Sequence, residues 1–297
     1  MLSILICSIK PDLLDQLKEN LKATIGVTYE VLVWNNRNNK KGICEVYNIL
    51  AAKAKFSYLC FCHEDVLFET KNWGTTLLKI FNSYNSSVLV GIAGSSYKSK
   101  AYSGWYTGQE AIDFYFITSL LTGKKKIIKY PVKWQQLNEK VVCIDGVFMA
   151  CSKELWSNVK YNQEQLKDFH FYDLDFSLRA AQKYPVIVTE AIQLIHLSVK
   201  GDFGENWVRE AFNFHNNIME YDLPSSVVET NEDIESKIAN VWLDRLKNEK
   251  ISMKSRLKWI KDQQLQKKII HWPYILKFFL YQPIGIGKIL KFLKVNK

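Results

Sequence analysis

The fold is decided by Phe56–Val66, which reads Phe-Ser-Tyr-Leu-Cys-Phe-Cys-His-Glu-Asp-Val. The first seven residues form an apolar run rich in aromatic side chains, which predicts a buried strand. Three polar residues, His63, Glu64 and Asp65, end the run. In open α/β sheets, ligands bind at the carboxyl ends of the strands. The side chains of His63 and Asp65 can both face such a cleft, while Glu64 points away from it.

An imidazole and a carboxylate at that edge can hold a divalent metal, and a metal there can hold a diphosphate. The simpler interpretation of residues 63–65 is a helix cap or a solvated loop, since acidic residues are common after a strand. The triplet taken alone leaves both interpretations open.

The segments before this run alternate between strands and helices. Leu2–Ser8 and Tyr29–Trp34 are predicted as strands, and Pro11–Lys22 and Ile43–Ala54 as helices. This alternation predicts an α/β fold with a doubly wound, mainly parallel sheet and helices on both faces. Further elements are predicted as helices at Trp73–Phe81, Phe171–Gln182 and Phe203–Tyr221, strands at Val88–Ala93, Val141–Cys143, Val147–Cys151 and Val186–Thr189, and a loop at Gly94–Gly108.

The charge of the chain is concentrated at one end. The 297 residues carry a net charge of +10, yet residues 250–297 contain 12 Lys or Arg and one acid, Asp262, for a local charge of +11. The remaining residues are therefore close to neutral, which argues against a nucleic-acid groove across the main domain. We predict an α/β domain at residues 1–225 and a basic helical C-terminal extension at residues 226–297.

The end of that extension has an amphipathic pattern. One helical face would carry Ile286, Ile289, Leu290 and Leu293, and the other Lys288, Lys291 and Lys294. Such a helix either lies on an anionic membrane surface or packs its apolar face on the main domain. Six cysteines without a C-x-x-C pair, and no signal-peptide pattern, predict a cytoplasmic protein, with the inner face of the membrane as its alternative location.

Acidic residues open the predicted helix at Phe171–Gln182. Asp173 and Asp175 lie in its first turn, where carboxylates either stabilise the helix dipole or serve as a general base. Arg179 follows Asp175 by four residues, which predicts an ion pair and makes Asp175 the structural member of the two.

Three further segments contain candidate site residues, and two of them also allow a purely structural role. Asp145-Gly146 lies between two short strands, where a glycine permits close approach of a ligand or simply forms a turn. Trp105 lies in the loop Gly94–Gly108. His196 follows a strand and is either a hydrogen-bonded structural residue or returns to the metal.

The order of these motifs resembles the family 2 glycosyltransferases of the GT-A fold. His63-Glu64-Asp65 matches the family's D-x-D motif with His in the first position. Tyr172–Arg179 matches E-D-x-D-L-x-x-R with Tyr in place of Glu, and Val142–Cys151 resembles the glycine-containing acceptor segment between them. The resemblance covers about residues 1–220.

The resemblance implies a nucleotide-sugar donor, with a UDP-sugar favoured, and a carbohydrate or lipid-linked acceptor. It implies Asp173 as the catalytic base and Mn²⁺ or Mg²⁺ as the cofactor, of which Mn²⁺ accepts imidazole more readily. The implied site residues are Asp65, His63 and His196 for the metal, Cys7, Ser8, Ile9, Asn35, Asn48, Glu64 and Asp65 for the donor, and Asp145, Gly146 and Trp105 for the acceptor. Asn35 stands where the family usually has Asp.

The resemblance implies an inverting single displacement as the reaction. The expected biological role is the synthesis of surface polysaccharide, and a homodimer is one of the oligomeric states left open. One alternative is a sugar-phosphate nucleotidyltransferase, although Ser8–Pro11 lacks the glycines expected of its phosphate loop. The other alternative is a carbohydrate- or membrane-surface-binding module that has lost catalysis, which the departures at His63 and Tyr172 keep open.

Overall fold

The computed structural model describes residues 1–263 apart from 39, 122–123, 131–135, 198–202, 219–220 and 230–232. The predicted amphipathic tail at 286–294 lies outside the described residues. The chain forms two compact units, the first built from Met1–Lys98, Gly104–Gly201 and Met219–Glu229, and the second from Ser99–Ser103, Asp202–Ile218 and Thr230–Lys297. The predicted division between 225 and 226 stays a prediction, and residues 202–218 cluster with the second unit.

The secondary structure alternates as the sequence predicts through the first third of the chain. The strands are β1 Leu2–Ser8, β2 Tyr29–Asn35, β3 Tyr58–Cys62, β4 Val66–Phe68, β5 Leu89–Gly91, β6 Ala93–Ser95, β7 Tyr97–Lys98, β8 Asp113–Leu121, β9 Lys124–Tyr130, β10 Asn138–Lys140, β11 Cys143–Ile144, β12 Phe148–Ser152, β13 Val186–Thr189, β14 Leu194–His196 and β15 Ser225–Ser226. The helices are α1 Pro11–Thr24, α2 Ile43–Lys53, α3 Trp73–Ser83, α4 Lys153–Val159, α5 Tyr172–Ala181, α6 Glu205–Asn213, α7 Ile234–Leu246 and α8 Met253–Lys261, with a π-helical turn at Phe214–Ile218.

The main sheet of the first unit has the strand order β10-β13-β5-β12-β3-β1-β2. β1 pairs in parallel with both β2 and β3, and β13 pairs in parallel with β5. Only β10 and β12 run against their neighbours in this sheet. The predicted α/β class with a mainly parallel sheet is therefore confirmed.

Helices cover both faces of this sheet. α1 and α3 contribute to the apolar cluster on the face that holds Cys60. On the opposite face the ring of Phe61 lies 5.0 Å from that of Tyr47 in α2 and 6.4 Å from that of Phe176 in α5. Successive residues of β3 thus point to opposite helical layers, which explains why the strand is apolar throughout.

A second sheet in the same unit has the order β11-β6-β8-β14-β4, with β9 paired to β8. The predicted single strand Val88–Ala93 is wrong in detail, because the chain leaves the main sheet after β5 and enters the second sheet at β6. The β8–β9 hairpin was not predicted, since the lysine-rich sequence of β9 gives no clear strand pattern. The predicted loop Gly94–Gly108 contains most of β6 and all of β7.

The second unit is helical in its described part. The rings of Trp207 in α6 and Trp242 in α7 stack 4.8 Å apart. Arg256 of α8 is fully buried and donates to the backbone carbonyls of Lys247 and Glu249, so this basic residue of the extension serves packing. The predicted helix Phe203–Tyr221 is α6 followed by the π-helical turn. Within the described ranges, no helix combines the length and apolar character that a bilayer crossing requires.

Candidate active site

Strand pairing brings Asp65 and His196 together. Residues 63–65 connect β3 of the main sheet to β4 of the second sheet. β4 pairs with β14 so that His196 lies opposite Val66, and the Leu197 amide donates to the Asp65 carbonyl at 2.8 Å. As a result, Nε2 of His196 lies 3.3 Å from a carboxylate oxygen of Asp65.

His63 completes this group from the end of β3. Its amide donates to the Val147 carbonyl at 3.2 Å, and its Nδ1 lies 3.9 Å from the Asp65 carboxylate. One ligand atom from each of His63, Asp65 and His196 lies within 4.8 Å of the other two. Two imidazole nitrogens and one carboxylate oxygen suit Mn²⁺ better than Mg²⁺, which prefers oxygen ligands. The three side chains fit a divalent metal and leave most of its coordination positions for phosphate and water.

The two imidazoles have opposite protonation tendencies. Burial and the charge of His196 lower the pKa of His63. Burial would also lower the pKa of His196, but its hydrogen bond to Asp65 and the charge of that carboxylate outweigh burial and raise it. His196 therefore holds a proton more readily than His63 does, and a metal at this site would compete with that proton.

Asp173 lies at the start of α5 with both carboxylate oxygens held. One oxygen accepts from the Gly146 amide at 3.0 Å and the other from the Leu174 amide at 2.9 Å. Burial and the charge of nearby Asp145 raise the pKa of Asp173 to about 7. A carboxylate with a pKa near neutrality suits general base catalysis.

The predicted acceptor residues Asp145 and Trp105 contact each other. Nε1 of Trp105 donates to one Asp145 oxygen at 2.5 Å, and the other oxygen accepts from the Val147 amide at 2.8 Å. The loop that carries Trp105 is held by Asp113, whose buried carboxylate accepts from the Thr107 amide at 3.0 Å. Trp105 is thus fixed beside the carboxylate that raises the pKa of Asp173.

Gly146 lies against the side chain of Tyr172. A Cβ at this position would lie 2.0 Å from the hydroxyl oxygen of Tyr172. The close approach that requires glycine in this structure is made by Tyr172, a residue of the chain itself, and the acceptor contact of Gly146 stays a prediction. The Tyr172 hydroxyl also lies 2.9 Å from Nε2 of His63, which is 109 positions away in sequence. In the sequence, Tyr172 stands out only as a departure from the family motif, and nothing there predicts its contact with His63.

Glu64 also has a different role from the predicted donor contact. Its side chain is buried, and its carboxylate accepts from the Ser8 hydroxyl at 2.5 Å and from the amides of Ile9 and Lys10 at 3.1 and 3.0 Å. Glu64 thus anchors the turn between β1 and α1. Ser8 uses its hydroxyl in this contact, while Ile9 is 53% exposed at the same turn.

Two other predicted donor residues, Cys7 and Asn35, lie at the carboxyl ends of β1 and β2. Burial and the charge of Glu64 raise the pKa of Cys7 to about 11, so its thiol stays protonated at neutral pH. Asn35 ends β2 and accepts from the Arg37 amide. The donor contacts of Cys7 and Asn35 stay predictions.

Asn48 is engaged with the protein itself. Its amide donates to the Tyr161 carbonyl at 2.8 Å and to the Gln163 side chain at 2.9 Å. Its oxygen accepts from Trp156 Nε1 at 3.2 Å and from the Tyr161 amide at 3.0 Å. These bonds fix α2 against residues 156–163, so the predicted direct donor contact is replaced by a structural one.

Two further features concern the segment around α5. The predicted ion pair is present, with Arg179 donating to the buried Asp175 carboxylate at 2.6 and 2.9 Å. Phe169, which the sequence analysis missed, is 52% exposed, and its ring lies 5.8 Å from that of His63 and 5.9 Å from that of Tyr172. Phe169 lies in a run with His170, Phe171 and Tyr172, and the sequence does not show which of these rings is exposed, so only the structure reveals Phe169 beside the site.

We expect Glu64→Ala to lower the free energy of unfolding by about 2 to 4 kcal/mol, because three donors in the β1–α1 turn lose a charged acceptor. Chemical denaturation measures the change. The matched control is Glu45→Ala, which removes a half-exposed ion pair with Lys41 and should cost less than about 1 kcal/mol. Equal losses in the two variants would rule out the anchoring role of Glu64.

Comparison with known proteins gives one extensive match. The model of a family described as glycosyltransferase-like matches residues 3–216. No curated protein matches the chain in sequence. Among solved structures, the chain is similar to a crystal structure of GalNAc-T7 with UDP, GalNAc and Mn²⁺, at 11% identity and a TM-score of 0.47, over 67% of this chain and 44% of that one. It is also similar to A197 from STIV, at 13% identity and a TM-score of 0.36, over 67% of this chain and 86% of that one.

The match to GalNAc-T7 spans less than half of that chain's length. Both structural likenesses are too distant to bear on activity or substrate. The family match covers the strands and helices that carry His63, Asp65, Asp173 and His196.

Proposed function

We propose that this chain, which belongs to the glycosyltransferase-like family, transfers a sugar from a nucleotide-sugar donor to an acceptor hydroxyl with the aid of a divalent metal. The observation that carries the proposal is the single connected cluster at the sheet edge. His63, Asp65 and His196 form a metal-ligand group, and Tyr172 and Gly146 connect His63 to Asp173 through hydrogen bonds. A metal group and a carboxylate of raised pKa are what displacement at a diphosphate-linked sugar requires.

The bond changes assign a role to Asp173. The acceptor oxygen forms a bond to the anomeric carbon as the bond from that carbon to the diphosphate oxygen breaks. The acceptor proton passes to the Asp173 carboxylate, and the nucleoside diphosphate leaves with the electron pair. One attack on the opposite face inverts the anomeric configuration. The amides of Gly146 and Leu174 keep the carboxylate oriented, so little reorganisation precedes proton transfer.

The other side of the cluster handles the leaving group. A divalent cation held by His63, Asp65 and His196 would offset the negative charge that grows on the departing diphosphate. Glu64 fixes the Ser8–Lys10 turn at the end of β1, where the family resemblance puts the nucleotide. Trp105, held by Asp145, offers an aromatic and polar surface to the acceptor.

The alternative of an inactive binding module is disfavoured by the two motif departures themselves. His63 offers a nitrogen to the metal group, and Tyr172 bonds to His63, so both substituted residues take part in the cluster and do not leave it incomplete. The nucleotidyltransferase alternative lacks a glycine-rich turn after β1, where Ser8–Pro11 stands.

A thermal-shift screen of nucleoside diphosphates, nucleoside triphosphates and sugar nucleotides, with and without Mn²⁺, tests the proposal. A ligand that binds the folded state raises the melting temperature by mass action. We expect one nucleotide class, with uridine favoured, to raise it only when Mn²⁺ is present. No shift with any sugar nucleotide would contradict a donor site, and a shift with nucleoside triphosphates alone would favour the nucleotidyltransferase.

We expect kcat/KM at saturating Mn²⁺ to fall below about pH 7. The base must be deprotonated, and burial together with Asp145 raises the pKa of Asp173 to about 7. The active fraction therefore decreases as pH falls through that value, approaching about tenfold per pH unit. A pH–rate profile measures this limb. The residual activity of Asp173→Asn should lack it, and an identical limb in that variant would assign the titration to another group.

We expect Phe169→Ala to raise the KM for a sugar substrate about tenfold, while the stability of the fold is unchanged. An exposed ring beside His63 can stack on the apolar face of a sugar, for which about 0.5 to 1.5 kcal/mol is typical of aromatic contacts. Initial-rate kinetics with donor and acceptor varied separately show which substrate it contacts. Phe169→Tyr keeps the ring and should restore wild-type KM. Unchanged KM for both substrates in the alanine variant would remove Phe169 from the site.

The acceptor, the role in polysaccharide assembly, the homodimer and the cytoplasmic or membrane-surface location stay predictions from the sequence. The segment 286–294, whose sequence carries the membrane prediction, lies outside the described residues.

A further inference from the structure

We infer that Tyr172 is a positioning residue that fixes the tautomer of His63, so that Nδ1 of His63 is the nitrogen available to a metal. The inference rests on the proposed metal site and concerns why two motif positions depart from the family pattern together. His63 replaces the first Asp of D-x-D, and Tyr172 replaces the Glu of the helix motif. The structure places the two replaced side chains 2.9 Å apart.

The tautomer of His63 follows from the position of the hydrogen on the Tyr172 hydroxyl. The Tyr172 hydroxyl has a single hydrogen and two partners, the Gly146 carbonyl oxygen at 3.1 Å and Nε2 of His63 at 2.9 Å. A carbonyl oxygen can only accept, so the Tyr172 hydrogen points to Gly146. The hydroxyl oxygen then accepts, and Nε2 of His63 must carry a hydrogen to donate.

The opposite tautomer satisfies fewer groups. If Nε2 were unprotonated, Tyr172 would donate to it, and the Gly146 carbonyl would lose the one donor that it has among the described residues. The hydrogen on Nδ1 would then point toward Asp65, whose oxygen is 3.9 Å away and beyond hydrogen-bond length. The Nε2–H tautomer forms one hydrogen bond more, in a site where buried polar groups need partners.

The tautomer decides which nitrogen of His63 can bind a metal. A neutral imidazole binds a metal through its unprotonated nitrogen, and the partner of the other nitrogen decides which one that is. With Nε2 protonated, the lone pair lies on Nδ1, the nitrogen that faces Asp65. Tyr172 thus gives His63 the acceptor that outer residues commonly give to metal-ligating histidines.

The residues around Tyr172 hold its side chain in place. Gly146 leaves room for it, since a Cβ there would come within 2.0 Å of the hydroxyl oxygen. The Tyr172 ring packs 5.9 Å from that of Tyr47 and 6.2 Å from that of Tyr161, which holds the hydroxyl in one position. The Gly146 amide in turn bonds Asp173, so one residue, through its carbonyl and its amide, contacts both the metal side and the base side of the cluster.

The test begins with the metal-free wild-type protein at pH 8, where an imidazole is neutral. Long-range ¹H–¹⁵N correlation spectra of ¹⁵N-histidine protein report the tautomer of each ring, and the loss of signals in His63→Asn assigns His63. We expect the Nε2–H form in the wild type and a mixture or the Nδ1–H form in Tyr172→Phe. An Nδ1–H form in the wild type would overturn the inference without any reference to metal or activity.

Calorimetric titration with Mn²⁺ supplies the second readout. We expect Tyr172→Phe to weaken Mn²⁺ binding by about 10- to 100-fold, as loss of an outer-shell partner typically does. The matched control is Tyr161→Phe, another buried tyrosine of the same aromatic cluster, whose hydroxyl meets the sulfur of Met149 at 3.7 Å. It should keep both the tautomer and the Mn²⁺ affinity.

Wild-type affinity in Tyr172→Phe, or equal losses in both phenylalanine variants, would overturn the role of Tyr172. Absence of Mn²⁺ binding to the wild type would instead contradict the proposed metal site, and the histidine spectra would still decide the tautomer.

Discussion

Asp173→Asn is expected to reduce the turnover number by about 10³-fold, within the range that loss of a general base produces, while the Kd for the donor stays within about twofold of the wild type. The amide has the size of the carboxylate but cannot take the acceptor proton. It can still accept from one of the two backbone amides of Gly146 and Leu174 that the carboxylate now binds. Calorimetry gives the donor affinity, and a transfer assay gives turnover per folded molecule.

The matched control is the same substitution two residues away. Asp175 lies in the same helical turn, but its buried carboxylate pairs with Arg179 at 2.6 Å. Asp175→Asn should therefore lower the melting temperature and leave turnover per folded molecule nearly unchanged. Full transfer activity in Asp173→Asn would remove Asp173 from catalysis, and equal loss of turnover in both variants would make its effect structural.

Asp65→Ala is expected to weaken Mn²⁺ binding by more than about 100-fold, the upper end of what loss of an outer-shell partner costs. Asp65 contributes the only carboxylate of the metal group among the described residues, and its oxygen lies near both imidazoles, at 3.3 and 3.9 Å. Without it, the stimulation of donor binding by Mn²⁺ should disappear. Titrations with donor in the presence and absence of Mn²⁺ measure this loss.

An exposed aspartate provides the control for this variant. Asp15 lies on the surface of α1 and pairs only loosely with Lys18, at 3.4 Å. Asp15→Ala should bind Mn²⁺ and donor as the wild type does. Mn²⁺-stimulated donor binding that survives in Asp65→Ala would show that the metal binds elsewhere.

Much of the fold follows from local sequence patterns. β1 and β13 have the predicted bounds, and α5 begins one residue inside the prediction. β1 and β13 are buried apolar runs, in which the composition reflects burial directly. The family resemblance read from residues 1–220 is confirmed by the match over residues 3–216. The break between β5 and β6 was missed because only Ile92 separates these two strands, which belong to different sheets.

The site could be predicted only as far as side-chain chemistry and strand ends allow. His63 and Asp65 were found because ligands bind at the carboxyl ends of strands in α/β sheets, and His196 was assigned to the metal through the family resemblance. The structural roles of Glu64 and Asn48 were missed because their partners are mostly backbone amides and carbonyls, which every residue carries. The contact between His63 and Tyr172 depends on packing between β3 and α5, which sequence spacing does not encode.

Crystals grown with Mn²⁺ and a nucleoside diphosphate offer the most direct test of the central claim, that one cleft holds a cation and a base. Anomalous difference density recorded at the manganese edge locates the ion without assumptions about its ligands. We expect one strong peak at bonding distance from His63, Asp65 and His196, with the diphosphate on its open side and Asp173 facing the same cleft. A peak elsewhere, or a diphosphate bound away from these side chains, would contradict the account.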